Sequence, residues 1–140
     1  GVLFAYHNHG YGFTENKGII PIHYIFENTD PDLVFLEMDI FWTLGAGQNP
    51  VDLLNKYPNR YKLMHLKDMK EKLTFDGDGE NPQQWYKLFP NMTSCGNGIA
   101  DLKSIIETAK KVGVKHFYVE QDMAKNPEVV LQESFEYLSK

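Results

Sequence analysis

The sequence predicts an α/β fold with parallel strands, and three observations carry that reading. Four short runs, 2–7, 33–38, 61–66 and 116–120, are rich in apolar and aromatic residues and end in polar or ionisable ones. Each run is followed by a segment suited to a helix, so strand and helix alternate four times. The second run is nearly continuous in apolar character rather than alternating, which is the pattern of a strand covered on both faces, as in a parallel sheet.

The first strand, opening at Val2, ends where His9-Gly10-Tyr11-Gly12 supplies turn formers. A short helix is predicted over 19–26, stopped by Asn28-Thr29-Asp30-Pro31-Asp32 because proline lacks an amide donor and constrains the residue before it. The strand over 33–38 follows, flanked by Glu37 and Asp39. Asn49 then reads as a helix N-cap with Pro50 at the first helical position, and that helix runs to near Pro58. The strand 61–66 closes on His65, Lys67 and Asp68. Residues 69–100 read as a long loop punctuated by Gly and Pro, with one helical turn over 83–88; its length exceeds what linkage needs and points to function or mobility. Asp101 caps a helix to Lys111 with Leu102, Ile105, Ile106 and Ala109 on one face, and Gly113 stops it. The fourth strand, 116–120, leads to Asn126-Pro127, which opens a terminal helix.

A chain of 140 residues accommodates one core. Hydrophobic residues at 42% support a packed interior and argue against disorder. The net charge of -5 provides no general attraction to phosphate backbones or anionic lipid, so nucleic acid and membrane surfaces are not expected partners. No apolar run approaches the roughly 20 residues that span a bilayer. The single Cys95 cannot form an internal disulfide, which suits a reducing compartment and leaves the compartment open. The opening directly in a strand is expected of a chain that begins in the middle of an architecture.

Alternation along a strand puts Glu37 and Asp39 on one face, His65 and Lys67 on one face, and likewise His7 with His9 and Tyr118 with Glu120 and Asp122. In parallel α/β folds all strand carboxyl ends open on the same side, where ligands bind. His, Asp, His and Glu at four such ends offer mixed nitrogen and oxygen donors to a divalent ion such as Mn, Mg, Co or Zn. A single strand histidine is more often hydrogen-bonded core than ligand. Asp39 and Glu120 are harder to place in a core, because a buried carboxylate needs a cation or donors, although a salt bridge with Lys67 would serve either. Phe41 and Trp42 read as core packing or as an apolar wall beside a ligand. Gly96-Asn97-Gly98 reads as a turn, since no Lys-Ser or Lys-Thr follows as in a phosphate loop. Cys95 has no evident catalytic partner.

Tyr6-His7-Asn8-His9, Glu37-Met38-Asp39-Ile40-Phe41-Trp42, His65-Leu66-Lys67-Asp68, Gly96-Asn97-Gly98-Ile99-Ala100-Asp101 and Val119-Glu120-Gln121-Asp122 together resemble the sugar isomerase and epimerase superfamily with the xylose-isomerase-like TIM barrel. They occur in the family order and cover nearly the whole chain. The resemblance implies a partial or split (β/α)8 barrel, with residues 1–140 as its C-terminal half, strands five to eight with their helices.

It further implies a divalent-metal site with Asp39, His65 and Glu120 as ligands from the sixth, seventh and eighth strands. At the fifth strand the family carries a glutamate, and this sequence has Gly12 in that place. Either His7 or His9 completes the shell, or Glu15 reaches in, or the site is weakened; a histidine is the favoured substitute, and His7 is taken as the fourth ligand. In the implied chemistry Glu120 acts as ligand and general base with His9, or a residue of the absent half, as its counterpart, and Lys67 neutralises developing enediolate charge. The expected activity is divalent-metal-dependent isomerisation or epimerisation of a monosaccharide or polyol by proton transfer next to a carbonyl. The alternatives are a metal-dependent sugar or polyol lyase and a non-catalytic sugar-binding or structural remnant of a barrel. The expected partner is a second copy or the missing N-terminal half, because four parallel strands leave two edges and one face open.

Overall fold

A computed structural model describes residues 2–74, 77–81 and 83–140. Four strands form one parallel sheet: β1 (Phe4–His7), β2 (Val34–Asp39), β3 (Tyr61–Leu66) and, beyond two short strands introduced below, β6 (His116–Val119), in the spatial order β1-β2-β3-β6. Between them run α1 (Pro21–Asn28), α2 (Ile40–Gly45), α3 (Pro50–Lys56) and α5 (Leu102–Lys111), with α6 (Pro127–Leu138) closing the chain. Strand then helix, four times over, is the predicted order.

One face of the sheet is the core. Leu36, Met38, Met64 and Leu66 pack there against Ile22 and Phe26 of α1, Leu53 and Leu54 of α3, and Leu102, Ile105 and Ala109 of α5. The helices form where their caps say they should. Asn49 accepts the Val51 amide at 2.9 Å, Asp101 the Ser104 amide at 3.1 Å and Asn126 the Val129 amide at 3.4 Å, each satisfying a first-turn donor that no helical carbonyl can reach. The opposite face carries Ala5, His7, Phe35, Glu37, Leu63, His65 and Tyr118, all half-buried or exposed.

The structure departs from the sequence-based expectation at several points, among them the helix α2, which the sequence reading does not include. Pairing with β2 begins at Phe4, opposite Val34, so Val2 and Leu3 precede the strand and are exposed. The first helix runs two residues later than predicted at each end, with Pro21 at its first turn as proline prefers. The segment after β3 is not a bare loop: β4 (Asp68–Met69) pairs antiparallel with β5 (Met92–Thr93), and α4 (Gln83–Tyr86) lies between them. Phe41 and Trp42 of α2 pack with Met69, Leu88 and Met92 as a second apolar cluster, which pins this segment over the carboxyl end of the sheet. Among the described residues no helix is long and apolar enough to cross a membrane.

Candidate functional site

Strand register assembles the site. His7 pairs with Glu37, Asp39 with His65 and His65 with Tyr118, so the ionisable residues of adjacent strands stand side by side on the open face. Asn8 locks the ends of the first two strands together. Its carbonyl oxygen accepts the Asp39 amide at 3.1 Å and its amide group donates to the Thr43 hydroxyl at 3.3 Å, all buried.

Asp39 is the centre. It is fully buried, and its Oδ1 accepts the Trp42 amide at 3.0 Å, which caps α2. Its Oδ2 faces His7 Nε2 at 3.3 Å, His65 Nδ1 at 3.6 Å and Lys67 Nζ at 3.0 Å. Burial by itself would raise this carboxyl; hydrogen bonds from His65 and His7 and the Lys67 charge outweigh it and hold the group well below the usual carboxylate range. His65 also meets Glu37 Oε1 at 3.2 Å through Nε2 and Glu120 Oε2 at 2.9 Å through Nδ1. Burial opposes the charged imidazolium, yet Asp39, Glu120 and Glu37 together raise the His65 pKa above its ordinary value.

Lys67 follows His65 by two residues and is only 2% exposed. It reaches Asp39 at 3.0 Å, Glu120 Oε2 at 2.8 Å and Asp122 Oδ2 at 2.6 Å. Burial would lower its pKa, and the surrounding carboxylates raise it instead. The salt bridge foreseen as an ordinary solution for Asp39 or Glu120 is thus present for both.

His9 stands apart from this carboxylate cluster. Its ring meets His7 edge-on at 4.6 Å, lies near Trp42 at 5.7 Å, and stacks on Tyr11 at 5.6 Å and Trp85 at 4.8 Å. Burial and the neighbouring His7 push its pKa down to about 4, so it is neutral at physiological pH. Gly12 sits buried in a single 3-10 turn, Gly10–Phe13. A Cβ at Gly12 would meet the Tyr6 hydroxyl at 3.7 Å, an ordinary contact. Glu15 is exposed.

The donor set fits a divalent cation. One ligand atom each from His7, Asp39 and His65 lie within 4.8 Å of one another, and Glu120 adjoins them on the His65 side. His65 Nδ1 is buried between the carboxylates of Glu120 and Asp39, at 2.9 and 3.6 Å. Imidazole nitrogen converging with carboxylate oxygens is the mixed donor set that a divalent ion takes.

Sequence reasoning missed several contributors. Glu37 was placed on the Asp39 face without a role, and it holds the far side of His65. Asp122 completes the lysine cage. Trp85, inside the supposed loop, covers His9; nothing local marks it. Asp68 ties the end of β3 to the segment after β5: its Oδ1 accepts the amides of Met69 and Ala100 at 2.8 and 3.0 Å, and its Oδ2 those of Gly96 and Gly98 at 2.9 and 3.1 Å. The amides of Gly96 and Gly98 therefore cradle an internal carboxylate, while that of Asn97 donates to the Ser94 carbonyl at 3.0 Å. At Gly98 a Cβ would run into the Asp68 carboxylate and the Met69 carbonyl, so only glycine fits. Cys95 is buried with its Sγ 3.6 Å from the Leu66 carbonyl, and burial pushes the thiol up to about 11.

Comparison with known proteins adds an independent line. No family model matches the chain. An inosose dehydratase from Lacticaseibacillus casei is 30% identical over 91% of this chain and 44% of the relative, and one from Bacillus cereus is 30% identical over 100% of this chain and 46% of the relative. A solved sugar phosphate isomerase/epimerase from Parabacteroides distasonis is 29% identical with a TM-score of 0.72, covering 99% of this chain and 45% of that one. A xylose isomerase domain protein from Planctomyces limnophilus shares the fold, at a TM-score of 0.62 and 15% identity. The chain spans about half the length of the relatives it matches along its length.

Proposed function

The chain shares sequence and fold with the xylose-isomerase-like superfamily of sugar isomerases, epimerases and dehydratases, and on that footing we propose that it is the metal-binding half-barrel of an enzyme that moves a proton next to the carbonyl of a sugar or polyol. The observation that carries this reading is the convergence of His7, Asp39 and His65 within 4.8 Å at three strand ends. Asp39, His65, Glu120 and His7 would hold the ion, with His7 in place of the glutamate that Gly12 replaces. A divalent cation bound there would polarise a carbonyl or hydroxyl and lower the pKa of the adjacent carbon acid.

The chain's own groups then have defined tasks. Glu120, 42% exposed at its side chain, is the carboxylate best placed to take a proton from a substrate on the open face. Lys67 offers positive charge beside the place where an enediolate would form. His9, kept neutral by burial, is the candidate counterpart that returns or accepts a proton across the substrate. The names of the sequence relatives favour dehydration as a second reading of the outcome. Isomerisation, epimerisation and dehydration all begin by removing a proton beside a carbonyl, so the two readings share the first step and differ in what leaves afterwards.

In the sheet, β1 and β6 each have one strand neighbour, and a second half-barrel, or a second copy, is the expected closure. Light scattering that finds only monomer would remove the second-copy form. The activity itself is tested by metal analysis and solvent exchange. About one divalent ion per chain, lost in Asp39→Asn and His65→Ala, together with exchange of a sugar α-proton in deuterium oxide, is the expected result. An exchange-inactive chain that still binds a sugar would establish the non-catalytic alternative, and a wild-type chain that holds no metal would overturn the metal reading.

A further inference from the structure

Lys67 poses a question that the metal reading leaves open. Its ammonium is only 2% exposed and is bound to three carboxylates, and two of those, Asp39 and Glu120, are ligands in the reading above, on which this inference rests. The atoms coincide as well. Asp39 Oδ2 faces His7 Nε2 at 3.3 Å, His65 Nδ1 at 3.6 Å and Lys67 Nζ at 3.0 Å, and Glu120 Oε2 faces His65 Nδ1 at 2.9 Å and Lys67 Nζ at 2.8 Å. An ion seated among these imidazoles and carboxylates must draw on the same oxygens that the ammonium already uses.

The third partner differs. Asp122 Oδ2 makes the shortest contact with Lys67, at 2.6 Å, lies 35% exposed at its side chain, and is outside the His7, Asp39 and His65 group. A lysine side chain has four rotatable carbons and a compact ammonium, so it can release two carboxylates while keeping one. Two like charges crowding the same oxygens repel, strongly so where little water screens them.

We infer that Lys67 is a resident counter-cation for this site: it occupies the carboxylates of Asp39 and Glu120 in the metal-free chain and withdraws toward Asp122 when a divalent ion binds. The arrangement lets the carboxylates fold into the protein without metal, since an uncompensated buried carboxylate is unfavourable. It also sets the affinity, because each metal ion must displace an internal cation.

Two measurements test this. The first is Mn²⁺ affinity by calorimetry. Lys67→Met removes the competitor and is expected to bind Mn²⁺ at least tenfold more tightly than wild type. Asp122→Asn removes the place to which the lysine retreats and is expected to bind at least threefold more weakly; its partly exposed position favours a folded variant if Lys67→Met fails to fold. The second is NMR of the Lys67 side-chain Cε and Hε signals in the wild-type chain during Zn²⁺ titration. These should shift in step with occupancy, which a lysine of merely structural role would not do. Zn²⁺ binding with Lys67 signals unmoved, or Mn²⁺ binding equally tight in wild type and Lys67→Met, overturns the inference and leaves the metal site standing. Absence of Mn²⁺ binding in wild type and both variants overturns the metal site and the inference with it.

Discussion

Asp68→Asn should loosen the segment 96–100 from the end of β3 while preserving the volume of the side chain. The wild-type carboxylate is fully buried and accepts four backbone amides, two on each oxygen. An asparagine keeps one oxygen and turns an NH2 group toward the other pair, so two amide donors face a donor. An unsatisfied buried donor costs about 1–3 kcal/mol. Gly96 is exposed and its amide can turn to water, whereas Gly98 and Ala100 are half-buried. With the NH2 group toward the Gly96 and Gly98 pair, one half-buried amide is left facing a donor, so the loss is about 1–3 kcal/mol, a large share of the roughly 5–15 kcal/mol that holds a domain together. Urea denaturation gives the total. Amide hydrogen exchange locates it: Gly96, Gly98 and Ala100 should exchange faster, together with Ile99, whose amide donates to the Met69 carbonyl at 2.8 Å. A variant within 0.5 kcal/mol of wild type, with these amides equally protected, would refute the role assigned to Asp68.

Two further outcomes follow from the electrostatics and the aromatic cover. The folded-state pKa of His65 lies above its unfolded value near 6.5, so the stability it adds to the metal-free chain is complete below that value and lost as pH rises through the folded pKa; that of His9 lies below, at about 4, so its stability is lost as pH falls from about 6.5 toward 4. Thermal melts of metal-free protein should therefore peak near pH 6–7, with His65→Asn flattening the alkaline side, and a melting temperature that rises steadily from pH 6 to 8 would contradict the assignment. Trp85→Ala removes the ring stacked 4.8 Å from His9 and 4.9 Å from Tyr11; the His9 pKa read by NMR should climb from about 4 toward its ordinary value, with a stability loss of about 1 kcal/mol, and an unmoved His9 titration would show that other groups keep it dry.

Which parts of the molecule the sequence disclosed depends on how far each signal reaches along the chain. The four sheet strands were legible because each is an apolar run bounded by turn formers, and α3, α5 and α6 because Asn49, Asp101 and Asn126 announce them. Residues 40–45 of α2 were not legible: Ile40, Phe41, Trp42, Thr43 and Gly45 are all buried, so the helix has no polar stripe and its sequence continues the strand before it. Its one local signal is Asp39 followed three residues later by the amide it caps. The two-residue strands β4 and β5 are too short to show any alternation. At the site, alternation along strands brought out His7, Asp39, His65, Lys67 and Glu120. Trp85 and the Asp68 cradle depend on contacts across many residues of sequence, and no periodicity encodes them.

One local irregularity makes the strand-end chemistry possible. In a parallel pair, residues in register point the same way, so Asp39 and His65 share the open face only because they are opposite one another. At the start of the pair Leu36 stands opposite Tyr61, and a regular continuation would bring Asp39 level with Met64, whose side chain belongs to the core. Instead the register shifts between Leu36 and Glu37, so that Glu37 meets Leu63 and β3 carries Lys62 as an extra residue. From that point His65 moves to the level and the face of Asp39, while Tyr61 before the shift and Met64 after it both remain fully buried on the core side. A one-residue slip ordinarily turns every side chain of a strand to the wrong face, and a bulge is how a sheet makes such a slip without doing so for the whole strand. The shift at Lys62 thus reconciles two demands on β3, a packed core along its length and an imidazole beside a buried carboxylate at its end.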